Sequence, residues 1–355
     1  MKRILQIGSA FIGIIVGAGF ASGQEILQYF TSFGYMGTIG AIIATALFAY
    51  LGMTLTRLGS RLRATSHKEA IYKVSGRYLG VIVDYIIIFT LFGVGVVMIA
   101  GAGSIPNQQF GLPPAVGISL MSILVILTVM MNVDRVVAVI GSITPFLIIS
   151  IIILSIYSLF TMDSSYTELN PIAQESPSAL SNWFFSAINY VSFNIAVGAS
   201  MSLLMGGSER DEKTATIGGL IGGLGIGVII VLSHLAIFSQ VDIVASYEMP
   251  MLKIADDISP LLGMFYSIVL FGMIFNTALS MFFSLAARFT EQGTTKHKLF
   301  ALISGLIAFS LSFYGFTELV SFFYPLIGTL GLFLILALLI APFRMSDAKK
   351  QKDRS

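Results

Sequence analysis

Ten apolar stretches separated by short islands of charge constrain this chain before any motif is read. They cover residues 4–33, 36–56, 79–103, 115–131, 136–160, 183–206, 215–240, 261–287, 299–316 and 319–343. Crossing a bilayer core takes about 20 apolar residues. Inside that core no water satisfies backbone N–H and C=O groups, so a spanning segment is a helix or a strand of a closed barrel. Barrel strands alternate apolar and polar residues over about ten positions, and these runs do not. The fold class expected is therefore all-α membrane, with ten transmembrane helices. Composition agrees, with 56% of the residues hydrophobic and only 11% charged, against roughly a quarter charged in soluble domains.

The cations set the orientation. With both termini in the cytoplasm, inner segments hold 19 of the 20 Lys and Arg residues, from Lys2 and Arg3 through Arg57–Arg77, Arg135, Arg210, Lys213, Arg288, Lys296 and Lys298 to the tail from Arg344; only Lys253 lies outside. Short loops keep Lys and Arg on the cytoplasmic side. The start, Met1-Lys2-Arg3 and an apolar run ending at Ala21-Ser22-Gly23, has the outline of a cleavable leader. Cleavage would remove the partner of the second Gly-rich segment and break the duplication described next, so the segment is expected to stay. The net charge of +2 is topogenic and gives no reason to expect nucleic acid as a partner. The chain has no Cys, which excludes disulfides and thiolate metal sites.

Two echoes divide the chain. Val16-Gly17-Ala18-Gly19 returns as Val197-Gly198-Ala199-Ser200, 181 residues on, and Ser142–Ile148 is echoed around Pro325, which follows Pro145 by 180 residues. Matching offsets predict a duplication of five spans each: a first repeat over residues 1–160, an extracellular linker over 161–182, a second repeat over 183–343 and a basic cytoplasmic tail over 344–355. Five is odd, so the second repeat enters the membrane from the opposite side, as in the inverted repeats of secondary transporters. Interrupted helices at matching places, here segments one and six, point to the binding site of such proteins. Residues 66–79 read as a short amphipathic helix on the inner face, and residues 250–258, which begin with Pro, as a short helical lid.

Segment one supplies most of the candidate site. Gly13, Gly17, Gly19 and Gly23 lower helix stability by about 1 kcal/mol each relative to Ala, and with Ala18, Ala21 and Ser22 they cover the whole circumference. Small residues also serve plain helix packing, but packing needs only one face. A break here frees N–H groups suited to a carboxylate and carbonyls suited to a cation. Ser192, Asn194 and Gly198 of segment six would face it. Glu25 is a carboxylate inside a span, which is costly and usually functional; binding a substrate ammonium, pairing across to segment six or ten, carrying a proton and bonding to the broken backbone are all open to it. Asn276, Thr277 and Ser280 make segment eight polar locally, and Thr277 with the Gly13 and Val16 carbonyls would form an oxygen cage. Asp84 reads as interfacial, His234 as structural, Glu318 as a solvated helix-start acid, and Pro145 and Pro325 as kinks.

At these residues the chain resembles a known family. The run Ile14-Ile15-Val16-Gly17-Ala18-Gly19-Phe20-Ala21-Ser22-Gly23-Gln24-Glu25 is similar to the start of YkvI-type bacterial membrane proteins, a distant branch of the amino acid–polyamine–organocation superfamily with the LeuT-like five-plus-five fold. The resemblance implies segments one and six around a central substrate, with three and eight beside them. By position, the Gly17–Gly19 backbone would hold a substrate carboxylate, and Gly13, Val16 and Thr277 would resemble the fold's sodium site. Two departures stand out: Ala278 replaces a second hydroxyl beside that threonine, and segment five has no Lys.

The expected function is secondary active transport, by alternating access, of a small zwitterionic or anionic solute such as an amino acid. Symport with Na+ or H+ is expected, with no cofactor beyond Na+, in a bacterial cytoplasmic membrane whose lipid is the chain's other partner. The rival class is a membrane sensor or regulatory protein on a transporter fold, which binds a ligand without moving it. An enzyme is not expected, because no paired acids, metal-ligand cluster or nucleophile–base pair stands out. No nucleotide-binding loop is present either. The sequence says nothing of the oligomeric state.

Overall fold

The computed structural model describes residues 1–64, 67–130, 144–291 and 294–352. Arg135, Met131 at the end of segment four, the first residues of segment five, Ser142 and Ile143 of the echo, Ser66, and Arg354 of the tail lie outside the described residues. Segment one is broken into α1 (Lys2–Ile15), α2 (Ala18–Ser22) and α3 (Gln24–Tyr29), followed by a 3-10 turn, Thr31–Phe33. Segments two to five contain α4 (Tyr35–Leu62), α5 (His67–Phe110), α6 (Pro114–Val129) and α7 (Thr144–Phe160). The linker carries α8 (Tyr166–Glu175). Segments six and seven are α9 (Trp183–Gly207) and α10 (Glu212–Phe238), with a single turn, α11 (Val241–Val244), and the lid, α12 (Pro250–Ile258), after them. Segments eight to ten are α13 (Pro260–Phe289), α14 (Thr295–Ser312) and α15 (Phe316–Lys352).

The all-α class is as expected, and no strand occurs among the described residues. Five helices among them are long and apolar enough to cross a membrane: α4, residues 80–110 of α5, α10, α13 and residues 316–336 of α15. In α9 the interruption takes the form of a bend, 55° between Trp183–Ala199 and Met201–Gly207, whereas segment one is unwound. One reading needs correction and one helix is new. The expected amphipathic helix before segment three is continuous with it, since α5 runs 44 residues from His67; nothing between them stops a helix except single glycines, each costing about 1 kcal/mol. The linker, for which no helix was expected, contains α8. Its start is a capping box, with Ser165 and Glu168 satisfying each other's end of the first turn.

Helix contacts fall into two kinds. Along α4 and α10 the glycines bring backbone onto backbone: a Cβ on Gly223 would lie 2.2 Å from the Phe48 carbonyl oxygen, and one on Gly219 would lie 2.3 Å from that of Gly52. α9 joins the same seam, where a Cβ on Gly206 would lie 2.2 Å from the Thr56 oxygen, and α1 joins at Gly8 against Gly218. Small residues permit this approach, which dispersion stabilises where no hydrophobic effect operates. Across α5, by contrast, phenylalanines fill glycine notches, Phe282 of α13 at Gly95 and Phe316 of α15 at Gly101. One end of the molecule is ringed by ion pairs, Arg3 with Glu209 at 3.0 Å and Arg57 and Arg61 with Glu212 at 2.6 and 3.0 Å. At the other end α8 and α12 lie across the helix ends, with Asn170 accepting from the Tyr35 amide and Gln108 exchanging two hydrogen bonds with the Met249 backbone.

A side chain at the α4–α10 seam has nowhere to go. Gly223→Val is expected to destabilise the detergent-solubilised protein by about 1–3 kcal/mol or more, read as a lowered thermal-unfolding midpoint. Gly8→Ala, whose Cβ would find its neighbours at 3.3–3.4 Å, is expected to have a much smaller effect. Equal midpoints for the two would rule out the seam as described.

Candidate functional site

The first break in segment one follows from its glycines. α1 ends at Ile15, the Gly17 amide turns back to the Ile15 carbonyl at 2.8 Å, and α2 begins with Gly17 extended, at φ −93° and ψ −172°. The second break is at Gly23, whose φ of +83° is the left-handed conformation that glycine adopts without a side-chain clash. Local groups satisfy the freed backbone. The Ser22 hydroxyl donates to the Gly19 carbonyl at 2.7 Å and accepts from the Gln24 amide at 3.1 Å. From α13, the Tyr266 hydroxyl donates to the Ala21 carbonyl at 2.6 Å.

Glu25, in the first turn of α3, is 4% exposed. Its carboxylate folds back over Gly19, so closely that a Cβ there would lie 1.8 Å from Oε1. The Tyr190 hydroxyl of α9 donates to Oε2 at 3.2 Å, and the Tyr324 hydroxyl of α15 also hydrogen-bonds this carboxylate. Behind them Tyr324 stacks on Phe193, with ring centroids 4.1 Å apart.

This cluster is the blind end of a cavity of about 370 Å³, within the range of small-molecule sites. Deep in it lie Glu25, Tyr324 and Asn194; Val16, Gly17, Asn276 and Thr277 line its middle; Asp84, Met201, Ser284 and Arg288 form its mouth. Val16, Tyr324, Glu25, Asn194 and Asn276 of this lining are 0–4% exposed, whereas Ser284 is exposed and Met201 is 58% exposed, which puts the mouth beside them. The mouth is at the end ringed by Arg3, Arg57 and Arg61. The other end is shut: Met251 of the lid presses on Gly23, and the Gln28 amide reaches the Thr317 carbonyl at 3.4 Å.

Gly17, Gly19, Glu25 and Asn194 thus share one cavity with Gly13, Val16 and Thr277. The Thr277 hydroxyl faces Gly17, 3.5 Å from where a Cβ would sit. Other candidates face neighbouring helices. Ser22 closes the second break, Ser192 donates to the Gly328 carbonyl of α15 at 2.6 Å, and a Cβ on Gly198 would lie 2.5 Å from Ile15. Of Ala18 only the backbone is described. His234 is buried away from the cavity and held by the Thr31 and Thr38 hydroxyls at 3.1 and 2.8 Å. Asp84 is no bystander at the interface: it pairs with Arg288 inside the mouth. Tyr190 and Tyr324 went unnoticed in the sequence, although Tyr190 stands one helical turn before Asn194 and Tyr324 immediately precedes the echoed Pro325.

No family model matches the chain. It is 28% identical over 346 residues to the uncharacterized membrane protein YkvI of Bacillus subtilis (strain 168), covering 96% of this chain and 97% of that one. The resemblance expected from segment one is thereby borne out. Among solved structures it is similar to MhsT in complex with L-phenylalanine (TM-score 0.61, 17% identity, 92% of this chain and 87% of that one). It is also similar to the inward-facing conformation of Mhp1 (TM-score 0.65, 12% identity, 92% and 73%). The fold is LeuT-like.

Gly19→Ala should force the Glu25 carboxylate off Gly19 and away from Tyr190, lowering the thermal-unfolding midpoint. Adding Glu25→Ala should then cost less than it does in the parent, with a coupling of roughly 0.5–3 kcal/mol. Strict additivity would show that the two residues do not touch.

Proposed function

We propose that the chain is a secondary transporter for a small organic solute, working by alternating access between the two sides of a membrane. The observation that carries this reading is the cavity: it opens at one end only and stops blind at the break in segment one, beneath a closed lid. A pore would run through. The reading takes the Lys- and Arg-rich end as cytoplasmic, both termini inside, with repeats over residues 1–160 and 183–343 joined by an outer linker, and a basic tail from 344. The glycine-seamed group α1, α4, α9 and α10 would rock against α5, α6, α13 and α14.

The solute class is an amino acid or a related compound, a class supported by the cavity's size and by the pairing of an apolar wall with one buried acid. Glu25 would receive a substrate ammonium. Coupling to sodium would use the Gly13 and Val16 carbonyls and the Thr277 hydroxyl, oxygen ligands of the kind a hard cation takes; coupling to protons would use Glu25. An anionic solute is the least supported member of the class, since Glu25 already covers Gly19.

Proteoliposomes loaded with an amino acid and amine panel are expected to show saturable counterflow, driven by a sodium or a pH gradient. Saturable binding without exchange would favour a sensor, and single-channel currents would favour a pore. The closed lid gives a second test. Tyr266→Phe removes one hydrogen bond across the outer closure, worth about 1 kcal/mol net, so the open-to-closed ratio there should rise about fivefold. Because the chain has no Cys, single cysteines report this directly. In the Tyr266→Phe background, labelling should rise at Gln28→Cys and fall at Met201→Cys. Unchanged labelling at both would show that this contact between α13 and segment one does not hold the outer end shut.

A further inference from the structure

The charges lining the cavity do not cancel. Asp84 and Arg288 pair with each other at the mouth. Glu25 at the blind end has no cationic partner among the described residues, and the polar groups facing it are the hydroxyls of Tyr190 and Tyr324, with Tyr29 beside them. From α10 and α12 the nearest neighbours of this turn, at Gly23, are the apolar Ile237 and Met251. A desolvated carboxylate in a membrane interior has to be neutralised, by a proton or by a positive partner. The protein's described groups offer no such partner, and the cavity leads to this carboxylate from solvent.

Three further observations fix what can arrive. The cavity, about 370 Å³, is far larger than a bare ion needs, and no group of three or more His, Cys, Asp or Glu among the described residues could hold a metal. Its walls are largely apolar, with Ile87, Leu91, Val94 and Met98 from α5 and Phe193 stacked on Tyr324 at the deep end, and aromatic faces attract cations. A second carboxylate bound at Gly19 would stand beside that of Glu25, and two carboxylates sharing one site do not both ionise.

We infer that Glu25 is a shared site for a proton and for the positive head of an organic monocation with an apolar body, so that binding either expels the other. The inference rests on the reading of this cavity as the solute's path, and within the proposed solute class it selects the cationic amines over the amino acids themselves. The step balances: the neutral carboxyl group meets R–NH3+, its proton leaves along the cavity to solvent, and a carboxylate–ammonium pair remains. One cation exchanged for one proton makes the cycle an electroneutral antiport, in place of the symport expected from the sequence.

Four compounds of similar size and shape separate the charge classes: phenethylamine, 2-phenylethanol, 3-phenylpropionate and phenylalanine. With the purified full chain in weakly buffered detergent solution, calorimetry and a pH indicator read binding and proton release together. Phenethylamine is expected to bind with about one proton released per ligand. Its affinity should rise up to tenfold per pH unit where Glu25 titrates. The alcohol and the propionate should bind at least tenfold more weakly, and Glu25→Gln should abolish proton release. The wild-type release measurement stands even if that variant fails to fold. The inference is overturned if the propionate or phenylalanine binds as tightly as the amine, if the amine binds without releasing protons, or if none of the four binds. Amine binding with proton release but no counterflow would keep the shared site and end the transporter reading. Counterflow of phenylalanine that ignores pH would do the reverse.

Discussion

Everything at the centre of this molecule depends on how the broken backbone of segment one is satisfied without water. Each break sets free N–H and C=O groups, and in a bilayer interior an unpaired one costs several kcal/mol. The second break is closed by Ser22, which donates to Gly19 and accepts from Gln24, and by Tyr266, which reaches across from α13 to the Ala21 carbonyl. The same turn that needs these partners places Glu25 over Gly19 and under Tyr190. A glycine at position 19 is therefore a steric requirement of the acid at position 25. Backbone irregularity, buried charge and cavity are one feature seen three ways.

Much of this was legible from residue types and spacing. The ten apolar runs gave the helices, and the glycines of segment one gave its break, because both follow from composition over a single turn or span. Pro250 marked the start of the lid helix. What escaped were features that depend on partners distant in sequence. Asp84 looks interfacial on its own segment, and only the meeting of α5 and α13 reveals Arg288 beside it. Gly198 sits in the echo of segment six and Ser192 upstream of it, yet they meet Ile15 and Gly328 rather than open space. The echo locates the bend in α9 but not the direction of each side chain there. The helix in the linker could have been read, since Ser165 and Glu168 stand at capping-box spacing just before an apolar Leu169.

The two kinds of helix contact bear on movement. Backbone-to-backbone glycine seams bind α1, α4, α9 and α10 through many short contacts that a side chain cannot adjust, so the group moves as one piece or not at all. The Asp84–Arg288 pair joins α5 to α13, both in the opposite group. A rocking motion between the groups would leave it intact, and the mouth of the path would keep its neutral pair in every state.

α15 belongs to neither group cleanly, and its sequence shows how it can serve both. Its first turns lie on α5, with Phe316 at Gly101 and Phe323 at Gly93. Further on, the Pro325 and Gly328 carbonyls accept from Asn189 and Ser192 of α9, at 3.0 and 2.6 Å. For α9 to move relative to α5, one of these attachments must slip or α15 must bend between them. Slipping would expose buried carbonyls or empty glycine notches. Bending is cheaper, because Pro325 has no N–H and leaves the carbonyl four residues earlier without its helical partner. Pro325 stands where the hold of α5 gives way to that of α9, just after Phe323 and with its own carbonyl bound by α9, and Tyr324, its neighbour, is one of the hydroxyls on Glu25. A hinge at this proline would carry the motion of the bundle directly to the buried acid.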